Sequence, residues 1–276
     1  FRKKAKMGVK EVEAIKEEIR DIIERYLEIE DVWGCVPSFA NPVKEILVVS
    51  DDDVCEVVKR LKDAWNIGED GILSVTDLLE SKNIKMVEIT ADSSFDGLSG
   101  YVNNDENMPF VVVNKSFDVE RLRFTGLHEL GHLVMNLPEE MEKKDKERLC
   151  NLFASEMLIS RDTFVDVLGE RRSDISLQEL KVLQAVYGIS VDALMFKAKT
   201  VGVISESKHT SFCIRKNKSL AFKDAVERSS YRGVEESSRF DRLVYRALAS
   251  DMISCSKAAV LLNEPMEEVK NKLELV

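Results

Sequence analysis

The stretch FTGLHELGH, residues 124–132, places two of the chain's three histidines around a glutamate, His128-Glu129-x-x-His132. Residues i and i+4 of an α-helix project from nearly the same face. His128 and His132 can therefore offer both imidazoles to one ion, while Glu129 sits beside the open coordination position. The plainer alternative is a helix whose histidines merely pack or face solvent. In a chain this poor in histidine, that pentapeptide seldom arises by chance. Gly131 adds weight, because glycine costs a helix interior about 1 kcal/mol and is tolerated where something must come close.

Zinc accepts imidazole nitrogen, and a catalytic zinc keeps three protein ligands and one open position for water. A carboxylate beside that water can take its proton as it attacks a carbonyl, which makes H-E-x-x-H the spacing of a zinc peptidase. The third ligand has to come from elsewhere. No histidine follows His132 at the spacing of a three-histidine site, and His209 is remote and reads as a surface residue. A carboxylate on the next helix, at about 139–158, is expected, with Glu139, Glu140, Glu142, Asp145, Glu147 and Glu156 as candidates. At about 100° per residue, Glu147, Asn151 and Ala154 share a face and Glu156 lies opposite. Glu140 shares the Glu147 face, so helical phase leaves both open.

RFTGLHELGHLVMN (123–136) followed by ERLCNLFASEMLIS (147–160) resembles the ImmA/IrrE family of metallopeptidases, which have a gluzincin-like zinc site. In that family an R-F-T stretch leads into H-E-x-G-H, and a later E-x-x-(A/C)-N-x-F-A-x-E-x-L-x-P segment supplies the third ligand. The resemblance implies a zincin-like core in which Glu147 is that ligand and Asn151 supports the site from behind. It is close over residues 84–160. The chain also resembles longer members that carry an N-terminal helix-turn-helix repressor module, absent from this sequence. It departs from the pattern at Gly126-Leu127, where Leu-Ala is usual, and at Ser160, where proline is usual.

The remaining chain frames that site. The 276 residues suit two or three small units. No apolar run approaches the 18 or so residues of a membrane span, and FRKKAKMGVK (1–10) lacks the apolar core of a signal peptide. The chain therefore reads as cytoplasmic. It begins with Phe1 rather than methionine, so the expectation is a trimmed or processed chain with an upstream segment missing. Five scattered cysteines without a C-x-x-C read as reduced packing residues, Cys150 among them. The net charge of -10 is concentrated in residues 35–200, with 19 basic and 30 acidic side chains. That segment repels polyanions, so a nucleic-acid role is not expected for this chain. Five lysines and arginines within the first ten residues are the local exception.

Apolar positions Val12, Ile15, Ile19, Ile22, Tyr26 and Ile29 predict an amphipathic helix over 9–32 that must pack on something. A second helix opens at Ser50 and three aspartates and is expected to stop at Gly68. A short one follows at about 74–82, with Ser74 as a plausible cap. KMVEIT, DGLSGYVN and PFVVVNK, between 84 and 115, read as three strands of a small sheet. The motif helix spans about 117–136, and two short helices after residue 175 break at Gly188. The expected class is α+β, mostly helical, with the sheet packed on the H-E-x-x-H helix. The expected divisions are 1–34, a helix and linker; 35–200, the metallopeptidase domain; and 201–276, mainly helical. Around ISCSKAAVLLNEPMEEV (253–269) the sequence has a helix-turn-helix flavour, without glycine in the turn and only weakly basic, so packing or homodimer formation is expected.

The functional expectation is a zinc-dependent endopeptidase in which His128, His132 and Glu147 hold Zn2+ and Glu129 is the general base. An edge strand from 98 to 113 would hold the substrate extended. By resemblance the substrate is a transcriptional repressor or antitoxin. Arg121 and Arg123 are expected to pair with carboxylates rather than orient substrate. Tyr101, His209 and Tyr231 are candidates for stabilising the oxyanion. Two rivals stand beside this reading: a zinc-containing binding module that cuts nothing, against which Glu129 argues, and part of a DNA-binding regulator whose reading head is missing.

Overall fold

The computed structural model describes residues 8–34, 38–105 and 107–273. Cys35 and four of the five basic residues near the start, Arg2, Lys3, Lys4 and Lys6, lie outside them. In chain order the described elements begin α1 (Val9–Val32), α2 (Asp51–Trp65), α3 (Val75–Ser81), β1 (Lys85–Ile89), β2 (Gly97–Tyr101), β3 (Pro109–Asn114), α4 (Val119–Val134) and α5 (Lys143–Leu158). They continue α6 (Arg161–Leu168), α7 (Leu177–Tyr187), α8 (Val191–Thr200), α9 (Glu206–Lys218), α10 (Leu220–Glu227), α11 (Arg239–Ala249), α12 (Cys255–Leu262) and α13 (Met266–Lys272). The class is α+β, as the sequence predicts. The chain divides into two units, one drawn from residues within 1–40, 76–116 and 236–276, the other from 41–75 and 117–235.

In the first unit the apolar stripe of α1 finds its partners. Ile15, Ile19 and Ile23 pack with Val87 and Ile89 of β1, Val112 of β3, and Phe95. Ile23 is buried where the sequence pointed to Ile22, which is only partly covered. Nearly two turns beyond, Ile29 enters a second cluster with Val244, Ala247 and Leu248 of α11, Ala258 and Leu261 of α12, and Val269 of α13. The apolar positions of the helix-turn-helix-like segment thus pack within this unit. Its turn works without glycine because Asn263 takes the left-handed conformation, φ 53°.

The sheet has the order β1-β3-β2, with β1 parallel and β2 antiparallel to β3. This narrows the expected edge at 98–113 to β2, since β3 is central. Burial agrees, since Val111, Val112 and Val113 are enclosed.

In the second unit, local chemistry sets the helix ends. Ser50 and Asp53 form a reciprocal capping box at the start of α2. That helix stops before Gly68, because Asn66 adopts the left-handed cap, φ 55°. Gly188, φ 59°, ends α7 as expected. Helix α5 begins at Lys143 rather than near 139, because Pro138 and Met141 close a turn first. Ser160 caps α6, a helix the sequence reading did not separate, by accepting from the Thr163 amide.

Helices α4 and α5 lie side by side, and α2 packs on α5. Gly131 permits the approach: a Cβ there would lie 3.2 Å from Cδ1 of Phe153 and 3.4 Å from Cε of Met135. The far end of α4 is fastened by Asn41, whose Nδ2 donates to the Val134 carbonyl at 2.9 Å. The Val48 amide donates to the Asn136 carbonyl at 2.9 Å.

Candidate metal centre

The two histidines of α4 and Glu147 of α5 come together between these helices. One ligand atom from each of His128, His132 and Glu147 lies within 4.8 Å of the others. Nε2 of His128 stands 3.3 Å from Oε2 of Glu147, and Nε2 of His132 stands 3.9 Å from its Oε1. The imidazoles are edge to face with ring centroids 4.9 Å apart. His128 is buried, whereas the side chain of His132 is 29% exposed. The group thus has one dry side and one side open to solvent.

Two imidazole nitrogens and one carboxylate suit a divalent ion, and three donors leave a position open, which is the donor count of a catalytic rather than a structural zinc site. A further contact supports the fit. Sγ of Cys150 lies 3.4 Å from Nδ1 of His132, on the nitrogen opposite the one facing Glu147. Metal-binding histidines commonly have their second nitrogen held by a neighbour, which fixes tautomer and ring orientation.

The other carboxylate candidates are placed elsewhere. Glu139, Glu140, Glu142 and Asp145 are exposed, and none belongs to the three-residue group. Glu156 is buried on another face, where Oε1 accepts from Nζ of Lys197 at 2.5 Å and Oε2 accepts from the Arg161 amide at 2.7 Å. Glu129 is buried in α4 beside His128. Asn151 is exposed on α5, in the wall of a cleft that Glu147 also lines.

Arg123 is fully buried and its guanidinium is a structural hub. Nη1 donates to Oε1 of Glu235 at 2.5 Å and to the Tyr231 hydroxyl at 2.9 Å. Nη2 donates to the carbonyl of Ile72 at 2.6 Å and of Tyr187 at 3.3 Å. The pairing expected of Arg123 is therefore present. Gly188 makes room for it, since a Cβ there would fall 2.4 Å from Nε. Tyr231 donates its own hydroxyl to the Leu73 carbonyl at 2.7 Å, which gives it a structural task. Arg121 lies over the Phe117 ring, 3.6 Å from its centroid, and His209 packs edge-on against Phe196. Tyr101 is in β2, in the other unit.

The role of Cys150 was hidden in the sequence, where it reads as a small packing residue. Its position one turn after Glu147, facing α4, is the signal that points toward a histidine there.

Residues 80–199 match the family model described as the IrrE N-terminal-like domain, a peptidase family. Over these residues the chain is similar to an IrrE N-terminal-like peptidase domain. The matched segment runs from the end of α3 through nearly all of α8 and contains His128, Glu129, His132 and Glu147. A metallopeptidase type of function accompanies that family. No curated protein matches the chain. The matched segment absorbs both departures noted in the sequence: Ser160 serves as the cap of α6, and a Cβ on Gly126 would sit 3.3 Å from Cγ1 of Val75.

Proposed function

We propose that the protein is a zinc-dependent endopeptidase that cuts a protein substrate, with His128, His132 and Glu147 as metal ligands and Glu129 as general base. The observation that carries this reading is the convergence of two imidazoles and one carboxylate from adjacent helices within 4.8 Å. When bound, zinc supplies Lewis acidity, polarising the scissile carbonyl and easing deprotonation of water. Glu129 accepts the proton of the attacking water as the new C–O bond forms. It then delivers that proton to the amine nitrogen as the C–N bond breaks. Cys150 holds the His132 ring, and Gly131 keeps α4 close enough to α5 for Glu147 to reach both histidines.

The substrate class follows from the resemblance: a transcriptional repressor or antitoxin, so that cutting it changes gene expression. We place the protein in the cytoplasm. In support, no helix among the described residues is long and apolar enough to cross a membrane.

The deciding experiment compares wild type with Glu129→Gln in the source cell, by mass spectrometry of new protein N-termini, with metal content measured on both purified proteins. One zinc per chain in each, and a cut product with wild type alone, is the expected result. Equal metal content with no difference in termini would replace the peptidase by a non-cleaving zinc module.

A further inference from the structure

A cleft of about 770 Å³ opens along α5 and α8, within the second unit. Glu147 is part of its wall. The same carboxylate lies 3.3 Å from Nε2 of His128, so the cleft and the three-residue group share Glu147.

Its apolar lining comes from Phe124 of α4, Leu152 of α5, and Phe196 and Val201 at the end of α8. Phe196 is 55% exposed, a large ring left mostly at the surface although His209 packs against its edge. Part of the polar lining is already satisfied, although Lys144 and Asn151 also line the cleft at its exposed side. Lys197 and Glu156 are buried as an ion pair at 2.5 Å, and Nζ of Lys197 also donates to Oγ of Ser155 at 3.2 Å. Burial holds the Lys197 ammonium below the ordinary lysine range, a further sign that this part of the cleft is dry. At the rim, Arg148 is occupied by Asp51 at 2.5 Å. A charged side chain entering the buried part of the cleft would lose water and find Lys197 and Glu156 already paired with each other.

Resting on the peptidase reading, we propose that this cleft is a specificity subsite that receives one large apolar side chain (leucine, phenylalanine or methionine) of the peptide, within two residues of the bond that is cut. The short reach follows from Glu147 bordering both the metal group and the cleft, since an extended peptide advances only about 3.3 Å per residue.

The test uses the full chain loaded with zinc and a peptide library made by trypsin digestion of a whole-cell lysate, with cut sites identified by mass spectrometry. Wild type should favour leucine, phenylalanine or methionine over aspartate at one position near the cut by about tenfold or more. Phe196→Ser removes the exposed ring, and Ala193→Trp fills the cleft from α8. Each should reduce the preference severalfold while thermal melting shows a folded protein. Cutting without an apolar preference, or a preference unchanged in both variants, would overturn the subsite and leave the peptidase standing.

If wild type cuts nothing, the peptidase reading falls and binding decides the cleft. Phenylalanine hydroxamate should then bind wild type at least about tenfold more tightly than aspartate hydroxamate, and Ala193→Trp should erase that ratio. Equal affinities in wild type would overturn the subsite too.

Discussion

Cys150 touches Nδ1 of His132 at 3.4 Å, and Nε2 of the same ring faces Glu147. With Nε2 directed to an ion, the ring proton belongs on Nδ1, where the sulfur can accept it. Cys150→Ala should weaken zinc binding by about tenfold, measured by competition with a chromophoric chelator. Cys150→Ser retains an acceptor and should restore most of that loss. Identical affinities for all three proteins would mean that the sulfur only fills space.

Arg123 and Glu235 form an ion pair with both side chains almost wholly enclosed. Removing one member leaves the other charged and without its partner, so Arg123→Met or Glu235→Leu should each cost about 3–5 kcal/mol in urea unfolding. Tyr231→Phe, which deletes only a hydroxyl, should cost about 0.5–1.5 kcal/mol. A loss below about 1 kcal/mol in both charge variants would contradict the hub described for Arg123.

Gly131→Ala sets two effects against each other. Alanine gains about 1 kcal/mol of helix propensity. Its methyl group meets Phe153 at 3.2 Å, and overpacking of that kind costs about 1–3 kcal/mol. The net expectation is a small loss of stability together with weaker metal binding, because α4 is pushed away from Glu147. Adding Phe153→Leu should restore part of both, and a double-mutant cycle in thermal melting and zinc affinity measures the coupling.

Glu80 gives a pH dependence of known sign. Its carboxylate is buried, accepting from Oγ of Ser237 at 2.6 Å and from the Arg239 amide at 3.1 Å. Burial pushes its pKa above the usual carboxylate range, with those hydrogen bonds only partly opposing it. A folded pKa above the unfolded one means a contribution that is fully present below the unfolded value and lost as pH rises through the folded value. Glu80→Gln cannot ionise. The melting temperature of the variant relative to wild type should therefore rise between pH 4 and pH 7, and a flat or falling difference would refute the assignment.

What could be read in advance was local. The α1 stripe, the Ser50 cap and the His128–His132 pair each depend on residues within a turn or two of one another. Asn66 and Asn263 ended elements where glycine was sought, since asparagine also tolerates the left-handed region. Helical phase kept Glu140 open only because α5 was expected to begin near 139; the turn at Pro138 takes Glu140 out of the helix. The central place of β3 was not legible, because three short strands of similar composition can be ordered in several ways. The partners of Arg123 were beyond any local pattern.

Those partners lie 51 residues before Arg123 and 64, 108 and 112 residues after it. Contacts so distant along the chain form late, after long loops have closed. During synthesis the helix bearing the two histidines can coil as soon as it emerges, but its arginine stays without its counter-charge until Glu235 has left the ribosome. Completion of the Arg123 hub is thereby tied to near-completion of the second unit, and a nascent chain stopped at residue 199, where the family match ends, would lack that closing step.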